Sequence, residues 1–415
     1  MQNDRDDESG EVSAERSIYD VLIIMQVLCA PDKFKGSLTA SEAAESMAAG
    51  IRRFDPSIMI DLCPVADGGE GTIDIINRAL TDRAVRSFTE EVAGPLGRDH
   101  SVNASWIMLK HEEYHTTAVI ELASAAGLIL LDESKRDALH TTTFGVGELI
   151  ERAIDRGAQT IMVALGGSAT CDGGCGLAQA LGVRFTLLNG ETLESTTRAI
   201  TGREISLIKK IDQTDLQRKI GDHQIIALCD VENPLLGHEG AARIYAPQKG
   251  AGGEAVDWLE RGLNHLARDI LPDQDANAPG AGAAGGSAFG LQAWCRAELQ
   301  KGFDTVMNMI HFDNRVRQAD LIFTGEGRFD RQSMFGKAMV GVSKRAKHFK
   351  IPVMAIVGSV DQSFMNDEKK FVRDLFTDCQ ALTMLEGVHS REDAIFRARE
   401  LLMDATEIVL RHFLY

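Results

Sequence analysis

No run of about 20 apolar residues, the length a membrane-spanning helix needs, occurs in this chain of 415 residues. The apolar stretch "VLIIM" (Val21 to Met25) is far too short, and no positively charged leader precedes it, so no secretory signal is expected. Cys-x-x-Cys pairs are missing too. The seven cysteines stand at 29, 63, 171, 175, 229, 295 and 379, an odd number with no second pair or histidine cluster to complete a zinc set. They read as reduced, mostly buried small hydrophobes of a cytoplasmic protein. Basic stripes are absent: net charge is −17, which argues against a nucleic-acid footprint. The first 24 residues hold seven acids and two bases and read as an acidic, disordered extension, with Met25 as a candidate start.

What is present is ordinary globular composition, 44% apolar and 25% charged, over a length that favours two domains. Val27 to Ala30 reads as a strand ended by Pro31. Thr39 and Glu42 form a capping-box signature before the helical periodicity of Ala40, Ala44, Met47, Ala48 and Ile51. "IMIDLCPVA" (58–66) is the next strand, completing a β-α-β unit and implying a parallel sheet. From Val85 to Leu122 strands follow one another without helices, turned once by "GPLGR", as in an antiparallel or mixed sheet. A helix over Val146 to Arg156 and strands at "IMVALGG" and "QIIALCD" come next. The C-terminal part returns to alternation: strand "LIFTG", helix "KAMVGVSKRAKHF", strands "PVMAIVG" and "ALTML", and a long closing helix from Arg391. The economical reading is α/β, a parallel domain with a second domain inserted into it.

Four glycine clusters share one design: "ADGGEGT" (66–72), "ALGGSATCDGGCG" (164–176), "PGAGAAGG" (279–286) and "TGEGRFD" (324–330). Glycine lets backbone N–H groups approach a ligand, and a helix N-terminus adds its dipole, a pairing that suits phosphate. "GAGAAGG" contains G-x-G-x-x-G, but "ILPDQDANAP" before it cannot be the strand a dinucleotide fold requires. No G-x-x-x-x-G-K-[ST] occurs, so this is not a P-loop protein. Asp67, Asp172, Asp230 and Glu326 each sit at or near a strand end, where open α/β sheets collect ligands. Such acids can hold magnesium or orient a hydroxyl nucleophile, although capping the next helix is the plainer use. Lys33, Lys35, Lys249, Arg328 and Lys337 lie in loops of small residues and could neutralise phosphate charge. The constellation fits phosphoryl transfer to a small molecule.

The stretches "APDKFKGSLTASEAAESMAAGIRR", "ADGGEGT", "GGSAT" with "DGG", "CDVENPLLG", "APQKG", "PGAGAAGG" and "TGEGRFDRQS" with a later "GK" closely resemble the two-domain bacterial glycerate kinases, in the family's order and over nearly the whole chain. Cys171, Glu232 and Ala246 depart from the family's usual residues. The resemblance implies a Rossmann-like parallel domain from both chain ends (25–66 and 295–415), an inserted α/β domain of mixed sheet (67–294), and an active site in the cleft between them. It implies ATP and Mg2+ as cofactors, D-glycerate as substrate and 2-phosphoglycerate as product, with no nucleic-acid or membrane partner. Within that frame, Asp172, Asp230, Lys249 and Arg328 are the candidate catalytic residues. Lys33, Lys35, Ser37, Gly166, Gly167, Ser168, Thr170, Gly173, Gly282 and Gly285 would bind substrate or phosphate, and Asp67, Asp230 and Glu326 the metal. A 3-phosphoglycerate product or a related small hydroxy acid as acceptor, and a metabolite sensor that kept the fold without turnover, are the competing readings.

Overall fold

The computed structural model describes residues 25–80, 84–110, 116–331, 338–361 and 368–415. The acidic extension and Lys337 lie outside them. Along the chain the strands are β1 (Gln26–Cys29), β2 (Met59–Leu62), β3 (Ala84–Gly94), β4 (Gly97–Lys110), β5 (Thr117–Glu121), β6 (Thr160–Ala164), β7 (Arg184–Leu187), β8 (Thr192–Leu193), β9 (Ile208–Asp212), β10 (Gln224–Leu228), β11 (Glu298–Gln300), β12 (Leu321–Phe329), β13 (Val353–Val360) and β14 (Asp378–Ala381). They form a five-stranded sheet in the order β14-β13-β12-β1-β2, a six-stranded sheet β11-β10-β6-β5-β4-β3 and a small sheet β8-β7-β9.

The first sheet is parallel throughout and draws its strands from both ends of the chain. The second is mixed: β11, β10, β6 and β5 run parallel, and β4 and β3 continue antiparallel. This is the α/β architecture with one parallel and one mixed sheet that the pattern predicts. The helical periodicity after Thr39 also holds. Helix Ala40–Phe54 carries a complete capping box, Thr39 Oγ1 accepting from Glu42 N and Glu42 returning a carboxylate to Thr39 N at 3.0 Å.

Two expectations shift. "ALTML" is not a strand; β14 ends at Ala381, and Leu382–Met384 forms a 3-10 turn. The closing helix is two pieces, Arg391–Phe396 and Ala398–Leu414, because Arg397 leaves helical geometry. The two large sheets are joined by one core. Leu28, Ile322 and Val357 of the first sheet and Ile107, Val119 and Leu228 of the second belong to the same buried cluster. Helices Thr72–Ala79, Gly302–Met309 and Phe312–Gln318 contribute Ile76, Val306 and Val316 to it. Both sheets therefore bring their carboxyl-end loops towards one region, and the site has to be sought there.

Candidate active site

Asp32 follows β1, on the loop between Pro31 and Lys33. Its amide donates to Gly325 O at 2.8 Å, which ties the loop to β12. Its carboxylate accepts from Lys33 N at 2.7 Å and is nearly buried. Burial, then the charge of Asp67, and more weakly Glu326, push its carboxyl up to about 8 against the pull of Lys33. The loop after β2 meets it there: Lys33 Nζ donates to Glu70 O at 2.7 Å, and half-buried Asp67 accepts from Gly69 N at 3.2 Å. Glu121, the last residue of β5, accepts from Gly71 N and Ile73 N at 3.0 and 2.8 Å, fixing the start of helix Thr72–Ala79. Burial raises its carboxyl too, those two N–H groups opposing. Neither Asp32 nor Glu121 belongs to the candidates read from the sequence. The neighbouring lysines mask the first, and the second acts on a segment distant in the chain.

The second sheet's loops close the crevice. Gly166 lies backbone to backbone on Gly69: a methyl there would stand 2.7 Å from Gly69 Cα. Gly68 meets Gly302 in the same way, at 2.5 Å. Asp230, after β10, caps helix Gly302–Met309 with both oxygens, accepting from Gly302 N and Phe303 N at 2.9 Å each. Burial, reinforced by the Asp67 charge and opposed by those N–H groups, pushes Asp230 up to about 7. Asp32, Lys33, Asp67, Asp230, Glu326, Gly166 and Gly167 thus lie together where the loops of the two sheets meet. Among the described residues, however, no three His, Cys, Asp or Glu groups stand close enough to cage a metal ion. The trio Asp67, Asp230 and Glu326 does not converge as a ligand set, and Asp230 is occupied as a helix cap.

A second group lies beneath the glycine loop. Loop 166–170 is pinned to the 126–128 segment: Leu128 N donates to Gly167 O and Ala169 N to Ala126 O, each at 2.8 Å, and Ser168 bridges Gly127. Lys249 is 2% exposed and spends its ammonium on Ser168 Oγ at 2.7 Å and Thr170 O at 2.6 Å. Burial holds it down to about 8. Thr170 Oγ1 is buried with no partner. Asp172 has no exposed surface. It accepts from Thr143 N and Oγ1 at 2.8 Å, from Gly174 N at 3.1 Å and from Gly176 N at 3.2 Å. Burial raises its carboxyl against those bonds. Gly173 N donates to Gly285 O at 3.1 Å, and Gly282 packs on Pro234 O. Asp172, Gly173, Gly282 and Gly285 are thereby drawn into the interior of the second sheet's unit. They support the glycine loop from its buried side.

The remaining candidates sit at the crevice's outer side. Ser37 Oγ donates to Phe34 O at 3.0 Å, and Lys35 is exposed where its backbone packs on Gly327. Arg328, also exposed, pairs with Asp330 at 3.3 Å and Asp361 at 3.8 Å. All seven cysteines are free, six of them buried. No helix among the described residues is long and apolar enough to cross a membrane.

Comparison with known proteins agrees with this architecture. A sequence profile described as the glycerate kinase family matches residues 27–414. The glycerate 2-kinase of Escherichia coli K12 is 41% identical over 94% of this chain and 100% of its own length. The glycerate kinase of Bacillus subtilis 168 is 38% identical over 91% of this chain and 95% of its own. A crystal structure from Salmonella typhimurium LT2, assigned as a glycerate kinase 2, superimposes with a TM-score of 0.73 at 35% identity, over 94% of this chain and 98% of that one. This chain belongs to the glycerate kinase family of phosphotransferases.

Proposed function

We propose that the protein transfers the terminal phosphoryl group of ATP to the 2-hydroxyl of D-glycerate, in the crevice where the carboxyl ends of both sheets meet. The observation that carries this is the convergence of Asp32, Asp67 and Lys33 from the first sheet with Asp230 and the 166–168 loop from the second. A hydroxyl acceptor needs a nearby base, and the Asp32 carboxylate, on a loop tied to Gly325 and next to Asp67, is placed to orient the hydroxyl and, when ionised, to take its proton. Lys33, already bridging two loops through Glu70, is placed to meet the acid's carboxylate. The exposed backbone of Gly167 offers phosphate a close approach. Lys249 and Asp172 hold that loop in shape.

Magnesium needs one or two carboxylates with the remaining positions filled by phosphate oxygens and water, so the lack of a three-ligand cage does not oppose it. Asp67, with one oxygen held by Gly69 N, is the residue that fits, with Asp32 beside it. When bound, the ion would neutralise charge on the transferring phosphoryl group. The same reading places the protein in the cytoplasm with its nucleotide.

The test is direct. Purified protein with ATP, Mg2+ and D-glycerate should give ADP and a product whose carbon and phosphorus NMR place the phosphate on C2. Phosphate on C3 would make it the other glycerate kinase. Absence of any phosphoglycerate would leave a binding protein on the same fold.

A further inference from the structure

One peptide unit stands between two charged side chains that belong to different sheets. The carbonyl of Glu70 accepts from Lys33 Nζ at 2.7 Å, and the N–H of the same peptide, that of Gly71, donates to Glu121 Oε1 at 3.0 Å. Lys33 lies on the loop after β1 of the first sheet, and Glu121 ends β5 of the second. The same Glu121 oxygen also accepts from Ile73 N at 2.8 Å. Gly71 is the N-cap of helix Thr72–Ala79 and has no side chain to give to the cap, so Glu121 supplies that acceptor from a strand 50 residues further along the chain. Gly71 has φ of 96°, a conformation that glycine enters readily and that sets the plane of the Glu70–Gly71 peptide.

Glu121 is itself firmly held. It stands opposite Ala164 in the parallel β5–β6 ladder, two residues before Gly166, and its carbonyl accepts from Ser124 Oγ at 2.7 Å. Lys33 has no such frame. Among the described residues, its ammonium makes one hydrogen bond, the bond to Glu70 O, and two of its three donors stay available to a ligand.

We propose that Glu121 is a positioning residue: through the Glu70–Gly71 peptide it fixes the acceptor that aims Lys33, and so sets how tightly Lys33 holds the carboxylate of D-glycerate. A carboxylate at the N–H end of an amide polarises it and strengthens the carbonyl at the other end as an acceptor, and a bond from an ammonium gains most from that. A lysine stem ordered before the substrate arrives loses less rotamer freedom on binding. The plainer role, a helix cap supplied from a distant strand, would leave Lys33 untouched. The proposal rests on the reading of Lys33 as the carboxylate-binding cation and adds what holds that cation in place.

The experiment uses the full chain. Glu121→Ala should raise the KM for D-glycerate about tenfold while kcat falls by less than about threefold. Glu121→Gln keeps an oxygen that can accept the same two N–H groups, and should return the KM to within about threefold of wild type. Both changes are then repeated with Lys33→Met. In that background Glu121→Ala should move the KM by less than about twofold, because the lysine through which it acts is gone. Equal effects in the two backgrounds would leave Glu121 as a cap alone and overturn the proposal. Gly71→Ala has open space around it and an unfavourable φ, so it tilts the same peptide and should reproduce the KM rise even if Glu121→Ala does not fold. A second measurement needs neither substrate nor turnover: acetylation of Lys33 by acetic anhydride, read by mass spectrometry against exposed Lys35 as internal reference. The Lys33-to-Lys35 ratio should rise severalfold in Glu121→Ala and fall back in Glu121→Gln. An unchanged ratio overturns the proposal whatever the activity. Failure of the kinase reading shows separately, as absence of phosphoglycerate from wild type.

Discussion

Asp172, a catalytic candidate in the sequence, is held wholly inside the fold. Its four hydrogen bonds reach Thr143, Gly174 and Gly176, and its side chain has no exposed surface. Removing a buried carboxylate from such a set strands several donors at once. Asp172→Ala should therefore lower stability by about 3 kcal/mol, and Asp172→Asn should also destabilise, because its amide N–H groups would face other N–H donors. Urea unfolding followed by circular dichroism would measure this; a variant as stable as wild type, yet inactive, would restore Asp172 to the chemistry. The sequence shows an acid framed by glycines whose backbone N–H groups suit a bound anion. What it could not show is that those groups turn inward, onto the protein's own carboxylate. Asp32 is the converse case. It sits beside lysines in an unremarkable loop, and only the approach of Asp67 and Glu326 from other segments makes its environment unusual.

At the scale of elements, the glycine-rich start of helix Ala283–Cys295 is the clearest constraint. Ala284, Gly285 and Gly286 have φ of 51°, 69° and 86°, three left-handed residues in succession. A Cβ on Gly285 would lie 2.0 Å from Thr170 O. Gly285→Ala thus combines an unfavourable φ with a backbone collision that no side-chain rotation relieves, and should cost about 3 kcal/mol or more. A thermal melt lowered by less than 2 °C would contradict it. This segment reads in sequence as a phosphate cradle. In the fold it locks the 170–173 loop to the body of the second sheet's unit. The strands and helices themselves were legible because their periodicities are local. The misread "ALTML" and the break at Arg397 are failures of the same kind: an apolar or helical pattern continued past the point where tertiary packing ends the element.

At the scale of the whole molecule, the shared core is the governing feature. The cluster that takes Leu28 and Val357 from one sheet and Val119 and Leu228 from the other couples a face of each sheet, while their other faces pack into separate clusters of their own. Differential scanning calorimetry should show a single transition, with calorimetric and van't Hoff enthalpies equal. Two resolved transitions would mean the sheets are energetically separate. One parallel and one mixed sheet were readable from the alternation of strands and helices; the core shared between them was not, since it depends on side chains from residues up to hundreds of positions apart.

The placement of β1 carries one more consequence. It lies between β2 and β12, with Val27 opposite Leu321, so the earliest described strand is interior to its sheet and one of its two neighbours comes from the last third of the chain. During synthesis on the ribosome β1 can pair with β2 early, but its other edge stays bare until β12 (Leu321–Phe329) has emerged. A nascent chain interrupted before β12 therefore carries an uncovered β1 edge, open to association with other unfinished copies.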